Sequence, residues 1–424
     1  MDPDCEPAVD DVNVDRPRVA MVQDGTRRRY MVPLALQRAG ILERVYTDWF
    51  VTPGSLEEKL AALVGQFRPR LGQRMQERAC PELDRRRVVR NALLALRLHW
   101  KMPRFAKPED SYIWAARQTA SWIGREGFAN ANVLYGFIRN AAPSLYQAAR
   151  DRGLATSGDQ IIAPLEIEVE EMKGQVQRWP GWNCGESTEL HPAYHQWERD
   201  TWAALDQITC MSEYVRDGLV SVGVPAERIT VIPYPWMDQA ANIAPRENRS
   251  GPLVVGFVGA IGLRKGAPYF LEVARQMAPG RMRFVMVGDV LLDRNKLAAY
   301  GDRVEFPGAV PRSSVADWLR QFDVFFFPST CEGSAGAVME AMGNSLPVLT
   351  TVNAGSPVRD GIEGFIRRYD DVEGFRQALV QLDDDRDLLL RLGAAARARV
   401  LSYDLAAYQA DLLRFFTRLA GQRP

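Results

Sequence analysis

The sequence predicts an α/β protein of two facing doubly wound, Rossmann-like domains, with a helical insertion in the first. Three observations carry the prediction. Apolar runs rich in Val, Ile and Phe alternate with amphipathic helical patterns along most of the chain, as in parallel sheets covered on both faces. The alternation stops in a polar stretch at 237–251 and then restarts. The 424 residues suffice for two domains that each bury a core. Paired domains of this kind take their ligands in the crevice beyond the carboxyl ends of the strands.

Taken in order, residues 1–16 are acidic and lack the basic and apolar regions of a signal peptide, so a disordered lead-in is expected. The N-terminal domain, 17–236, has strand patterns at 18–23, 133–137, 160–163, 207–211 and 229–232. An insertion at about 51–107 breaks the rhythm and reads as two or three helices. It holds thirteen Lys or Arg against five acids, a net of about +8, with Val88, Val89, Leu93, Leu94, Leu96, Leu98 and Trp100 between them. One reading is a solvated helical face packed on the domain. The other is a basic amphipathic surface, 68–107, in which Arg85, Arg86, Arg87 and Arg90 meet anionic lipid or a lipid-linked acceptor. After the linker, 237–251, a second domain at 252–402 has strand patterns at 253–258, 283–287, 304–306, 324–327 and 347–351. A terminal helix, 403–424, carries apolar residues at helical spacing.

Composition narrows the function. Lys and Arg balance Asp and Glu at 53 each, which argues against a nucleic-acid binder working through its global field. No apolar run approaches the roughly 18 residues of a membrane span. Cys5, Cys80, Cys184, Cys210 and Cys331 are scattered with no CxxC, and are expected to be reduced thiols in a cytosolic protein. His191 and His195 are spaced i, i+4 but lack a third ligand pattern, so no metal site is expected.

The most informative stretch is Cys331 to Met342, CEGSAGAVMEAM. It follows an apolar run and a turn. Glu332 belongs to the loop, Gly333, Ser334, Ala335 and Gly336 are expected to form the first helical turn, and Glu340 lies two turns on. Small residues and unpaired N–H groups at a helix start offer a seat to an anionic phosphate. Carboxylates at either end can accept hydrogen bonds from sugar hydroxyls. A capped helix with one exposed glutamate would read the same way. A second element, Val258-Gly-Ala-Ile-Gly-Leu-Arg-Lys-Gly266, forms a strand-to-helix turn in which Lys265 can reach a diphosphate.

Together these segments resemble the family 4 retaining glycosyltransferases of the GT-B fold, most nearly the bacterial exopolysaccharide and lipopolysaccharide branch. The likeness rests on the G-x5-KG element ending at Gly266 and on EGSAGAVMEAMGNSLPVLTTVNAGSPVRDGIEGFI from Glu332 to Ile366. It runs from about 207 to 403 and is much weaker before that. The resemblance implies transfer of a sugar from a nucleotide-diphosphate sugar to a sugar or lipid-linked sugar acceptor, with retained configuration and no cofactor or metal. It makes Lys265 the phosphate lysine and Glu340 the carboxylate that takes the ribose hydroxyls. It places Glu332 near the transferred sugar, and Gly333, Ser334 and Ala335 as N–H donors to the distal phosphate. Gly259 begins the phosphate loop. Gly308 and Val310 hold the base through backbone atoms, and Gly25 belongs to an N-terminal-domain loop that lies next to the phosphates and the acceptor. It further implies a cytoplasmic protein, peripheral on the inner membrane face if the basic segment meets lipid, and a last helix that crosses back to the first domain.

Three departures qualify the likeness. The family has an arginine where this chain has Ala260, and Arg264 is the candidate to supply the second cation. Ala335 stands where the branch has glycine. The middle-strand histidine of many relatives is absent from 161–171, where Glu166 or Glu168 would have to stand in. A non-catalytic scaffold of the same fold, or a nucleotide-sugar epimerase, is therefore the alternative.

Overall fold

The computed structural model describes residues 16–237, 246–247 and 249–422. The lead-in and most of the linker lie outside these.

The first sheet has seven strands, all parallel. They are β1 (Val19–Val22), β2 (Leu42–Thr47), β3 (Val88–Arg90), β4 (Val133–Phe137), β5 (Ala155–Gln160), β6 (Gln207–Cys210) and β7 (Ile229–Val231), in the order β3-β2-β1-β4-β5-β6-β7. The second sheet contains β8 (Leu253–Val258), β9 (Met282–Val287), β10 (Val304–Gly308), β11 (Val324–Phe327), β12 (Val348–Thr350) and β13 (Gly364–Ile366). Their order is β10-β9-β8-β11-β12-β13. In each sheet the order reverses once, between β1 and β4 and between β8 and β11. Those two switch points leave crevices at the strand carboxyl ends, and the candidate residues cluster there. This is the GT-B arrangement of two Rossmann-like domains.

Helices cover both faces, so β4, β8 and β11 are buried almost throughout. The core of the second domain is a stack of rings in which Phe257 lies over Phe327 at 5.3 Å and Phe270 over Phe326 at 5.2 Å.

Several elements differ from the sequence reading. The strand expected at 160–163 is β5, six residues of ATSGDQ with every position buried. Hydrophobicity misses it because four of its six residues are polar, of which Thr156, Asp159 and Gln160 find partners in the neighbouring structure. Thr156 Oγ1 donates to Ala204 O at 3.2 Å, and Thr209 Oγ1 donates to Asp159 at 3.2 Å. The insertion is not wholly helical. It holds α2 (Leu56–Phe67) and α3 (Pro69–Gln76), counted after α1 (Met31–Arg38), then β3, then α4 (Ala92–Lys101). β3 pairs Val88 and Val89 with Val45 and Tyr46 at the sheet edge, a run too short to show period-two alternation. The four-arginine cluster is divided accordingly. Arg87 donates to the Leu42 carbonyl and Arg90 holds Glu57 at 2.6 Å, leaving Arg85 and Arg86 exposed. α5 (Pro108–Glu126) closes the insertion against the sheet.

Two segments tie the domains together. The terminal helix Leu405–Ala420 returns to the first sheet, where Tyr408, Leu412, Phe415, Phe416 and Leu419 are buried. Phe416 meets Tyr135 edge-on at 5.1 Å. In the other direction, the chain after helix Leu165–Arg178 crosses to the second domain. Trp182 is buried in that core, Asn183 bridges antiparallel to Leu292, and Asp293 N donates to Trp182 O at 2.9 Å. Among the described residues no helix is long and apolar enough to cross a membrane.

Candidate active site

The loop from Gly259 to Gly266 leaves β8 and turns into helix Ala267–Gln276. Gly266 adopts φ 69°, and a Cβ there would fall 1.8 Å from the Pro328 carbonyl oxygen. Only glycine lets this loop lie against the turn after β11. The Arg264 carbonyl then accepts from Thr330 N at 2.9 Å, Ser329 Oγ at 3.0 Å and Thr330 Oγ1 at 3.1 Å.

That lacing brings the charged side chains together. Arg264 Nη1 donates to Glu332 Oε1 at 3.0 Å and to the Cys331 carbonyl at 3.2 Å, while Lys265 Nζ forms an ion pair with the same Glu332 oxygen. All three side chains are largely shielded, at 28%, 18% and 12% exposure. Burial pulls the Lys265 ammonium below the usual lysine range, against the attraction of Glu332. Burial also opposes the charge of Arg264, but Glu332 and Glu168 outweigh it and hold its pKa above the ordinary value.

The segment after Glu332 bends and is not helical. The helix is Gly336–Gly343 with Ala335 as its N-cap at ψ 100°, so 333–336 is not its first turn. Glu332 N donates to Asn353 O at 2.9 Å and Ala335 N to Ala354 O at 3.0 Å, which holds this stretch against the 353–354 turn. Ala335 is therefore removed from the phosphate donors the sequence suggested. Gly333 and Ser334 keep N–H groups without an acceptor among the described residues. Gly333 is pressed against the first domain: a Cβ there would sit 1.8 Å from the Ile161 carbonyl oxygen, and Ser212 Oγ donates to Gly333 O at 2.5 Å.

Glu340 lies apart from this cluster. It ion-pairs with the exposed Arg312 and borders, with Ser334, Met339 and Trp236, a cavity of about 220 Å³. Gly308 ends β10 at φ 83°, its carbonyl accepting from Gly288 N at 3.0 Å, and Val310 packs half-buried on the second core. Gly259 N is taken by Val287 O at 2.9 Å. Gly25, at φ 69° after β1, opens onto a different cavity in the first domain, and its N–H donates to Asp48 at 3.3 Å.

Two side chains that border the candidate site escaped the sequence reading. Glu186, on the segment that crosses from the first domain, accepts from Leu263 N at 2.5 Å and from Arg264 N at 3.3 Å. Burial pushes its carboxyl pKa up, against those two donors and the charges of Arg264 and Lys265. A side-chain-to-backbone turn fixes it, with Asn183 Oδ1 accepting from Glu186 N three residues on at 3.0 Å. The N-C-G-E string hints at that turn, but nothing local announces where it lands. Arg139 follows β4 with φ 75°, an uncommon conformation for a long side chain. It is held by Glu198 at 2.6 Å, Glu168 at 3.0 Å and the Ala163 carbonyl at 3.0 Å. Burial opposes its charge, and the two carboxylates outweigh that and raise its pKa. Of the two suggested substitutes for the histidine, Glu168 shares a cavity with Arg139, Glu186 and Arg264, whereas Glu166 faces His195 at 3.0 Å. His191 caps helix Pro192–Ala204 and pairs with Asp110 at 3.3 Å. Among the described residues no three His, Cys, Asp or Glu side chains are grouped to hold a metal.

Residues 252–385 match the family model described as glycosyl transferases group 1. Among curated relatives, the chain is 26% identical to the amylovoran biosynthesis glycosyltransferase AmsK of Erwinia amylovora over 197 residues, 43% of this chain and 48% of that one. It is 28% identical over 145 residues to the UDP-Gal:alpha-D-GlcNAc-diphosphoundecaprenol alpha-1,3-galactosyltransferase of Escherichia coli, 32% of this chain and 38% of that one. These alignments span about two-fifths to one-half of the relatives' lengths. The solved sucrose-phosphate synthase of Thermosynechococcus elongatus superposes with TM-score 0.64 at 16% identity, covering 95% of this chain and 99% of that one, a likeness of fold.

Proposed function

We propose that this chain, which belongs to the family 4-type glycosyltransferases through its group 1 domain, moves a sugar from a nucleotide-diphosphate sugar to an acceptor hydroxyl with retention, in polysaccharide or glycolipid synthesis. The observation that carries the reading is the pairing of Arg264 and Lys265 with Glu332 beside the free N–H groups of Gly333 and Ser334. Two shielded cations and two N–H donors suit a diphosphate that gains charge as the C1–O bond breaks, in a cleft that excludes water. Glu332, released from those cations, would accept from sugar hydroxyls and oppose positive charge developing at C1. Attack from the face of the departing diphosphate lets the acceptor hydroxyl pass its proton to a phosphate oxygen as the new C1–O bond forms. Glu340 is assigned to the ribose, and no metal takes part in this scheme.

The relatives' names support the donor and acceptor classes, and one of them specifies a diphosphoundecaprenol-linked sugar. The chain's own surface supports contact with an anionic membrane. Leu56, Leu63 and Phe67 form an exposed apolar line on α2, and Leu93, Leu96 and Trp100 form another on α4, in a segment of net charge about +8. The deciding experiment incubates the protein with UDP-, GDP- and ADP-sugars and follows nucleoside diphosphate release and the anomeric configuration of any product by NMR. Release from one donor class, with retained configuration, is expected. Inverted product or no release from any donor, alone or with acceptor, would refute the reading.

A further inference from the structure

The loop from Gly259 to Gly266 meets two carboxylates at once. Glu332, from its own domain, takes the Arg264 and Lys265 side chains, while Glu186, from the crossing segment, takes the loop's backbone. Glu186 Oε2 accepts from Leu263 N at 2.5 Å, and Oε1 accepts from Arg264 N at 3.3 Å. Gly262 makes room for it, since a Cβ there would meet Glu186 Oε2 at 2.7 Å. Successive N–H groups beside two cations make the kind of concavity that binds phosphate oxygens. Here the chain's own carboxylates fill those places.

Glu186 arrives on a segment that is fastened at one end and loose at the other. Upstream, Trp182 is buried in the second core, Asn183 bridges to Leu292, and Cys184 N donates to Leu291 O at 3.0 Å. Asn183 also latches Glu186 twice, its Oδ1 accepting from Glu186 N at 3.0 Å and its Nδ2 donating to Glu186 O at 2.8 Å. Gly185, between them, turns the chain at φ 130°, a conformation that favours glycine. Downstream, 187–190 forms neither helix nor strand. Lys107 reaches Glu189 at 3.5 Å with both side chains more than half exposed, a pair that contributes little.

We infer that Glu186 is a carboxylate plug on the phosphate-loop amides, and that a diphosphate must displace it to bind. The plug holds free phosphate and pyrophosphate off, because a ligand reaches the loop only by replacing hydrogen bonds to a charged acceptor. A nucleotide sugar brings further contacts and overcomes it. Displacement frees the segment after Cys184, which with Arg139, Glu168 and Arg264 lines the cavity of about 350 Å³. Donor binding therefore loosens one border of that cavity instead of tightening it. The inference rests on the proposed donor chemistry, in which this loop takes the diphosphate.

Amide hydrogen exchange and calorimetry on the full chain, with inorganic pyrophosphate as the probe, test the plug. Saturating pyrophosphate should speed exchange across 184–190 in the wild type, the reverse of the protection given by a ligand that closes on this segment. Glu186→Gln should bind pyrophosphate about tenfold more tightly, the weight of a hydrogen bond to a charged group. Asn183→Ala keeps the carboxylate and removes only its latch, so it separates occupancy of the loop from nearby charge. That variant should gain about threefold in pyrophosphate affinity, the weight of a neutral hydrogen bond, and exchange faster at 184–190 without ligand. Protection or unchanged exchange at 184–190 in the wild type, which needs no variant to fold, would overturn the plug. So would unchanged affinity in Glu186→Gln. A gain in Glu186→Gln with none in Asn183→Ala would reduce Glu186 to a neighbouring charge and overturn it equally. Pyrophosphate binding to neither the wild type nor Glu186→Gln would sink the diphosphate reading of the loop, and the plug with it.

Discussion

Replacing Glu332 by Gln should move stability and nucleotide affinity in opposite directions. In the wild type one carboxylate oxygen neutralises both Arg264 and Lys265. Removing one partner of a fully buried pair costs about 3–5 kcal/mol. Arg264 is more than a quarter exposed and Glu186 packs against its loop, so about 2 kcal/mol is the better figure here after allowing for solvent screening. For a domain of this size that corresponds to a melting temperature lower by roughly 4–8 °C. A bound diphosphate, however, competes with Glu332 for the same two cations. A unit charge at 4 Å is worth about 4 kcal/mol at an effective dielectric near 20. If rearrangement and water take most of that, roughly 1.4 kcal/mol remains, a tenfold gain in affinity. Scanning fluorimetry and calorimetry with the nucleoside diphosphate that the wild type binds would measure both quantities, and turnover should fall because the sugar-facing carboxylate is lost. A folded variant that binds the nucleotide no more tightly than the wild type would refute the shared-cation arrangement.

Lys265→Ala should lower kcat by about a hundredfold, the cost of one preorganised charge donor, while affinity for the bare nucleoside stays unchanged; equal loss of both would instead indicate a collapsed loop. Glu340→Ala should weaken nucleotide binding by about 1.5–3 kcal/mol, or ten- to a hundredfold by calorimetry, and unchanged affinity would remove Glu340 from the ribose. Glu186→Gln should bind nucleoside diphosphate more tightly, because a carboxylate leaves the neighbourhood of the phosphate cations. Burial raises the folded pKa of Glu186, so its contribution to stability is full below the unfolded carboxyl value and is lost as pH rises through the folded one. The variant's melting temperature relative to wild type should therefore climb as pH rises from the unfolded carboxyl value, about 4.3, through the raised folded one; a difference independent of pH would contradict that assignment.

The second domain was the legible half. Its strands are continuous apolar runs such as Val324–Phe327, and its loops carry Gly266, Lys265, Glu332 and Glu340 at informative spacings. The first domain hid β5, because a buried strand built largely from polar residues, most of them partnered, carries no hydrophobic signature. It hid β3 because three residues show no period. Ala335 was misassigned because helix onset depended on the carbonyls of Asn353 and Ala354, which a local motif does not contain. Glu186 and Arg139 act through partners about 77 and 29–59 residues distant, and spacing rules written for neighbours do not reach that far. The basic insertion was seen as a charge pattern. Its apolar lines became visible only once the helices showed which leucines they left uncovered.

The crossing segment at 179–187 also governs how this protein can be divided. Trp182 lies edge-on to Trp179 at 5.6 Å and to Tyr300 at 6.0 Å, while its carbonyl serves Asp293 N. A fragment begun at residue 252 would keep the matched family segment but lose the tryptophan that fills its own core. Its edge from Leu291 to Asp293 would lie bare, a template for stray strand pairing. The second domain is thus one unit in topology but not in chain. An exchange of first domains between relatives would have to carry this segment along with whatever core it plugs.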